Sequence, residues 1–83
     1  MPFTTLHKKI MSLLLLNNKL TAADIGDEVK MDEAVIAQQL LLLCRQDLVD
    51  IDRSNAPVMY SINETHLVEV IEIVRQFGKD TNA

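Results

Sequence analysis

The chain has 83 residues, of which 48% are hydrophobic and 24% charged, and its formal net charge at pH 7 is −4. This length predicts one domain with a modest core, to which a second subunit can add, and the composition is that of an ordinary soluble globular protein. A single cysteine, Cys44, excludes an internal disulfide and a cysteine-rich metal site. The negative charge disfavours DNA binding, because Lys and Arg supply much of that affinity, although a local basic patch suffices.

The first predicted element is a helix over residues 2–18. Apolar residues recur at helical spacing, Thr4 or Thr5 is expected to cap the start, and Asn17-Asn18 is expected to end the helix. The segment faintly resembles a signal peptide, but its apolar run is short and lacks a small-residue cleavage site. No apolar run reaches the roughly 18 residues that cross a membrane, and a cytoplasmic protein is expected.

Two helices with a tight connection follow. Thr21 is expected to cap a helix that ends near position 29, with Asp24 at the positive end of its dipole. After a two-residue link, Asp32 is expected to cap a third helix that ends near position 46. Helices joined by so short a link form a helix-turn-helix. Gly26 costs about 1 kcal/mol relative to alanine inside a helix, which favours a close approach of the third helix at that point.

Two strands are predicted next. Apolar and polar residues alternate over residues 48–53 and again over residues 58–62, which is strand periodicity. The intervening Ser54, Asn55, Ala56 and Pro57 are turn residues. The pattern therefore predicts an antiparallel hairpin.

The chain ends with a predicted helix that has a broad apolar side. Asn63 is expected to cap this helix and Gly78 to end it, so that residues 1–78 form one domain and residues 79–83 a flexible tail. The apolar side either packs over the first helix or forms a homodimer interface, since symmetric homodimers are the commonest oligomers. The predicted dimer-interface residues are Leu67, Val68, Ile71, Val74 and Phe77.

A family resemblance lies in the third helix and the residues after it. The residues that carry it are Asp32, Ile36, Leu40, Leu43 and Leu48-Val49. This pattern is similar to the second-helix region of the ArsR/MarR type of winged-helix transcription regulators, with Asp47 where the family usually has glycine. The resemblance implies an α+β, mainly α fold: a winged helix-turn-helix with three helices, a β-hairpin wing and a C-terminal helix. It also implies dimerisation through terminal helices.

The resemblance implies that the third helix enters the major groove of double-stranded DNA. Gln38 is then expected to hydrogen-bond adenine, and Ala34 or Ala37 to contact a thymine methyl. Basic and polar residues around the helix and in the hairpin are expected to meet phosphate or the minor groove. The predicted DNA-contacting residues are Lys30, Glu33, Ala34, Ala37, Gln38, Leu41, Arg45, Arg53 and Asn55.

A second function remains open, because acidic residues crowd the same region. Each of them repels phosphate, and they outnumber the nearby cations. The alternative is a winged-helix module that binds a basic protein, such as another regulator or the transcription machinery, without DNA contact. Leu41 then belongs to a protein-contact patch rather than to the edge of a broad core. The acidic residues are Asp32, Glu33, Asp47, Asp50 and Asp52.

The sequence offers little for catalysis, so neither enzymatic activity nor a cofactor is predicted. His7 and His66 lie on separate predicted helices, and Cys44 lies on a leucine-rich one without an electropositive setting for a thiolate. Neither glycine belongs to a phosphate-binding loop. His66 and Glu69 have a spacing that two subunits could combine into a metal site, but solvated helix residues are the simpler interpretation.

Overall fold

The computed structural model describes residues 3–81, and side chains from residue 3 to residue 76. Four α-helices, one 3₁₀ turn and one antiparallel hairpin make up the fold. Their order confirms the predicted class, α+β and mainly helical, with three helices before the hairpin and one after it. The elements are α1 (Thr5–Leu16), α2 (Ala22–Val29), α3 (Glu33–Arg45), β1 (Val49–Asp52), β2 (Met59–Ile62), a 3₁₀ turn (Glu64–His66) and α4 (Leu67–Thr81).

Reciprocal side-chain caps begin the first two helices. The Thr4 hydroxyl accepts the His7 backbone N–H at 3.1 Å, and His7 Nδ1 accepts the Thr4 N–H at 3.3 Å. Thr21 and Asp24 exchange the same pair of bonds at 3.0 and 3.2 Å, as their spacing predicts. Asp32 occupies the corresponding position before α3, but its carboxylate makes no capping hydrogen bond, so that prediction is wrong. The backbone alone starts α3, because the Asp32 carbonyl accepts the N–H groups of the first turn.

Left-handed residues end α2 and α3. Lys30 has a φ of 59° and Asp47 a φ of 62°. At Asp47 the backbone N–H donates to the Cys44 carbonyl at 3.0 Å, and the next N–H returns to Leu43 at 3.1 Å. Asp47 therefore takes the helix-ending role that glycine usually has, as the sequence predicts.

The predicted end of the last helix is wrong. α4 continues through Gly78 to Thr81, because glycine permits a helix to end but does not force it. The first predicted turn is instead a 3₁₀ turn, in which the Asn63 side chain accepts the Thr65 N–H at 2.9 Å. The predicted tail at residues 79–83 stays a prediction, and its last two residues lie outside the described chain.

Each helix contributes one apolar side to a single core. Burial of these side chains is the main stabilising contribution, on the order of 2 kcal/mol for each large aliphatic group. Leu48 and Val49 are both buried, so the hairpin enters the core before its alternation begins. The buried apolar residues are Ile10, Met11, Leu14, Ala22, Ile25, Ile36, Leu40, Leu43, Leu48, Val49, Tyr60 and Val70.

The hairpin turns one face to the core and the other to solvent. In its register Ile51 lies opposite Tyr60 on the inner face, and Asp50 lies opposite Ser61 on the outer face. The link between α1 and α2 pairs with β2 through one isolated antiparallel bridge. Leu20 exchanges two backbone hydrogen bonds with Tyr60, at 2.8 and 3.1 Å. The hairpin is thereby tied to the start of the helix-turn-helix.

Gly26 lies where α2 meets the turn into α3. A Cβ atom at this position would lie 2.7 Å from the Met31 carbonyl oxygen, closer than van der Waals contact allows. The missing side chain therefore permits the close approach that the sequence predicts for this glycine.

Candidate nucleic-acid interface

The outer face of α3 is opposite the side that enters the core. Ile36, Leu40 and Leu43 are buried, and Ala34 and Gln38 are exposed, in agreement with the predicted periodicity. The predicted contact residues on this helix fall into two groups. Ala37 is half-buried against the core and lies at the margin of the outer face. The fully exposed ones are Glu33, Ala34, Gln38, Leu41 and Arg45.

Apolar side chains surround Gln38 on this face. Residues three and four positions apart on a helix are surface neighbours, with Cβ atoms about 5–6 Å apart. The four such neighbours of Gln38 are Ala34, Val35, Leu41 and Leu42, and all four are exposed. The exposed fractions of the three larger ones are 37% for Val35, 40% for Leu41 and 41% for Leu42. We call these five residues the Gln38 cluster.

α3 is held in place from its inner side. The adjacent glutamine, Gln39, points towards α1, where its Oε1 lies 2.6 Å from His7 Nε2. Because His7 Nδ1 accepts the Thr4 N–H, Nε2 carries the proton and donates to Gln39. This bond joins residues 32 positions apart. It fixes the rotation of α3 about its axis and so fixes which side chains form the outer face.

The turn of the hairpin carries the predicted residues Arg53 and Asn55, both exposed. The preceding carboxylate, Asp52, accepts the Ser54 backbone N–H at 2.9 Å and the Ser54 hydroxyl, and Lys19 Nζ lies 3.8 Å away. These hydrogen bonds from Ser54, aided by Lys19, hold the pKa of Asp52 below its ordinary value. The Asp52 carboxylate is therefore already hydrogen-bonded and paired within the chain.

The remaining charges leave this side of the molecule acidic. Lys19 and Asp52 are paired, and the other exposed cations near α3 and the turn are Lys30, Arg45 and Arg53. The other exposed carboxylates of the same region are Asp32, Glu33, Asp47 and Asp50. Contacts of this face to phosphate must therefore be few.

Cys44 lies in the last turn of α3, near the hairpin, and is half-buried. Burial raises the pKa of its thiol, the nearby Asp50 raises it further, and Arg53 opposes both. A thiol with a raised pKa is a poor nucleophile near neutral pH. The hydroxyl of Tyr60, on the nearby strand β2, also has a raised pKa, mainly because the side chain is buried.

Two further negative findings apply to the residues that the structure describes. No group of three or more His, Cys, Asp and Glu side chains among them is arranged to hold a metal ion. No helix among them is both long enough and apolar enough to cross a membrane.

A second apolar surface lies on α4. The exposed fractions of Leu67, Val68 and Ile71 are 39%, 75% and 41%. Val74, also predicted in the dimer interface, is half-buried against the core, so it contributes mainly to packing within one chain. The predicted interface residue Phe77 lies outside the described side chains.

Solved structures resemble this fold, whereas no protein-family model and no curated protein matches the sequence. ZitR from Lactococcus lactis is 25% identical, with a TM-score of 0.76 over 98% of this chain and 54% of ZitR. The Zα domain of PKZ from Carassius auratus, in complex with Z-DNA, is 24% identical, with a TM-score of 0.65 over 69% of this chain and 90% of that one. YusO from Bacillus subtilis is 10% identical, with a TM-score of 0.75 over 93% of this chain and 57% of YusO.

These likenesses define the class of the fold, which is a winged-helix domain. ZitR has also been solved in complex with DNA, so two of these neighbours are DNA-binding proteins. The chain spans about half the length of ZitR and of YusO.

Proposed function

We propose that this chain is a DNA-binding domain of a transcription regulator, with α3 in the major groove and the hairpin turn on the adjacent backbone. The observation that carries the proposal is the exposed outer face of α3. It presents an exposed Gln38, and the hairpin turn presents an exposed arginine, Arg53, in a fold whose solved neighbours include complexes with DNA.

The roles of the residues follow from their chemistry. Gln38 reads adenine through N6 and N7, and Ala34 contacts a thymine methyl, with Ala37 at the margin. Lys30, Arg45 and Arg53 neutralise phosphates, and Asn55 hydrogen-bonds the backbone. Glu33, if it faces a base, accepts from cytosine N4.

The small number of cations sets the strength of binding. Three phosphate contacts for each domain predict that the logarithm of the binding constant falls with the logarithm of salt concentration with a slope of about −3. Binding should therefore be measured at low ionic strength. A regulator with this charge gains affinity mainly from base contacts and from use of two domains at once.

Two domains are available if the chain forms a homodimer, which we also propose. The exposed side chains Leu67, Val68 and Ile71 on α4 supply the contact surface. A two-fold axis would place the two α3 helices on the same side of a duplex, so that a palindromic site is bound by both.

The test is a fluorescence-anisotropy titration of the purified chain with a pool of mixed-sequence duplexes at low salt. Arg53→Glu should abolish binding, because it removes a phosphate contact and adds a repulsive charge. Lys9→Glu is the matched control, because it reverses the charge of an exposed cation on α1, outside α3, the hairpin turn and the proposed dimer surface. The proposal is contradicted if both variants still bind the duplexes. It is also contradicted if the unaltered chain does not bind them.

A second function has one specific observation in its favour. The Gln38 cluster exposes three sizeable aliphatic side chains beside exposed carboxylates, which suits a basic amphipathic helix of a partner protein. In that case Leu41→Asp abolishes binding of a cationic amphipathic helical peptide, and Arg53→Glu does not weaken it. A chain that binds duplex DNA but no such peptide excludes this alternative.

A further inference from the structure

The Gln38 cluster has a composition that suits one kind of base pair. Gln38 is its single polar side chain, and four exposed apolar side chains surround it. We propose that this cluster reads A·T pairs through the C5-methyl group of thymine, with Gln38 on the paired adenine. This inference rests on the proposed DNA-binding function and adds the class of sequence that is bound.

The chemistry of the major groove supports this assignment. An A·T pair presents the adenine N7 acceptor and N6 donor, the thymine O4 acceptor and one methyl group. A glutamine amide carries one acceptor and one donor group and can match the adenine edge with two hydrogen bonds. The thymine C5-methyl is the one alkyl group on any base edge of unmodified DNA in this groove.

The arrangement of the cluster allows both contacts at once. Leu41 and Leu42 flank the C-terminal side of Gln38, and Val35 and Ala34 flank its N-terminal side. An adenine held by Gln38 therefore has aliphatic groups on all sides, close to the position of its own thymine methyl and of the methyls of adjacent pairs.

The five residues of the Gln38 cluster carry no charge, so the cluster lacks the side chains that usually bind guanine. Guanine is most often read by arginine or lysine at O6 and N7. Arg45 is the exposed cation on this face; it adjoins Leu41 and Leu42 at the C-terminal edge of the cluster and lies about two helical turns from Gln38. A guanine contact is therefore expected only at the edge of the site that Arg45 reaches.

Two bases can supply a C5-methyl group, thymine and 5-methylcytosine. The shared chemistry is a methyl group on a pyrimidine in the major groove. Gln38 distinguishes the two sources, because thymine pairs with adenine and 5-methylcytosine pairs with guanine.

The experiment compares the affinity of the full chain for four duplexes at one low salt concentration. The first is rich in A·T pairs, and the second has uracil in place of every thymine, which removes the methyl groups but keeps every hydrogen-bonding atom. The third replaces A·T by G·C pairs in a non-alternating order, and the fourth carries 5-methylcytosine in that sequence. Removal of the methyl groups should weaken binding about tenfold, as expected for loss of two buried methyl contacts.

Two variants test whether the Gln38 cluster causes the preference for thymine over uracil. Leu41→Ala should reduce the ratio of thymine-duplex to uracil-duplex affinity severalfold, because the affected side chain contacts the methyl. Leu16→Ala is the matched control, since it trims the same type of side chain, exposed at the end of α1 and outside both proposed contact surfaces. Circular dichroism confirms that both variants fold.

Each outcome separates the inference from the function on which it rests. Equal affinity for the thymine and uracil duplexes, with binding still lost in Arg53→Glu, overturns the inference and leaves the proposed function intact. No binding to any duplex overturns both. Equal affinity for the thymine and 5-methylcytosine duplexes overturns the assignment of Gln38 to adenine.

Discussion

Two helices of the described chain, α3 and α4, each expose several large apolar side chains, and the two surfaces differ in what lies among those side chains. On α3 the exposed aliphatic groups surround one amide, that of Gln38. On α4, Val68 and Ile71 form an apolar stripe, and the hydrogen-bonding groups nearby are charged, with Glu72 and Arg75 bound to each other. A buried amide needs a polar partner, whereas an uninterrupted apolar stripe is best covered by another apolar surface.

The comparison shows that the degree of exposure does not by itself indicate a partner. The polar atoms inside the surface limit the choice more strongly. The α3 face suits a surface with hydrogen-bonding atoms at fixed positions, such as base edges, and the α4 face suits a second copy of itself.

A glutamate placed in each surface should break a different interaction. Ile71→Glu should raise the dissociation constant of the proposed homodimer about a hundredfold, because the proposed two-fold contact would bring two carboxylates into an apolar surface. Analytical ultracentrifugation measures this change. Leu42→Glu should leave the dimer unchanged and weaken DNA binding. If both variants shift the same equilibrium, the two surfaces do not have separate roles.

A larger side chain at Gly26 should displace α3 and leave α4 in place. Gly26→Val should lower the free energy of unfolding by about 2 kcal/mol, since its Cβ atom meets the Met31 carbonyl. For a domain of this size the expected fall in melting temperature is about 8–16 °C. Ala23→Val, on the exposed side of α2, should cost a few tenths of a kcal/mol. Equal melting temperatures for the two variants would show that the contact at Gly26 is not tight.

Two adjacent glutamines should give opposite results when changed to alanine. Gln39→Ala should lower the free energy of unfolding by about 1 kcal/mol, because the hydrogen bond to His7 is lost in a partly buried site. Gln38→Ala should leave stability unchanged, or raise it slightly, and weaken DNA binding. Chemical denaturation of both variants measures the difference, and a stability loss at Gln38 instead would contradict the assigned orientation of α3.

A smaller effect is expected on the reactivity of Cys44, which lies in α3 near the hairpin. Arg53 lowers the pKa of the Cys44 thiol and Asp50 raises it. Arg53→Gln should therefore reduce the thiolate fraction and slow alkylation of Cys44 about twofold at mildly alkaline pH. Asp50→Asn should accelerate the same reaction. Identical alkylation rates would show that the hairpin does not lie as close to Cys44 as the structure indicates.

Local patterns were sufficient to predict most of the fold. The inner row of α3, from Ile36 to Leu43, follows from helical spacing alone, and the Thr21–Asp24 cap follows from two residues three positions apart. The outward orientation of Gln38 is the complement of that buried row. The sequence also shows why Asp47 can end α3, since short polar side chains tolerate a left-handed backbone.

Contacts between distant residues could not be predicted in this way. The His7–Gln39 hydrogen bond and the Leu20–Tyr60 bridge join elements that are far apart in the chain, and neither leaves a trace in local periodicity. Ala37 was expected on the outer face, but it lies at the margin because the core reaches partly around α3. The choice between Thr4 and Thr5 as the cap of α1 could have been made from the sequence, because His7 lies three residues after Thr4 and accepts the same N–H as a glutamate would.

The Leu20–Tyr60 bridge has a consequence for the proposed complex with DNA. It joins the hairpin to the segment that leads into α2, the first helix of the helix-turn-helix, and so limits movement between the two parts that are proposed to contact DNA. If the distance between the two contact regions of the protein is fixed, the DNA must deform to fit both. Sites with flexible pyrimidine–purine steps between the base-reading and backbone-contacting positions should then bind more tightly than stiff sites with identical contacts.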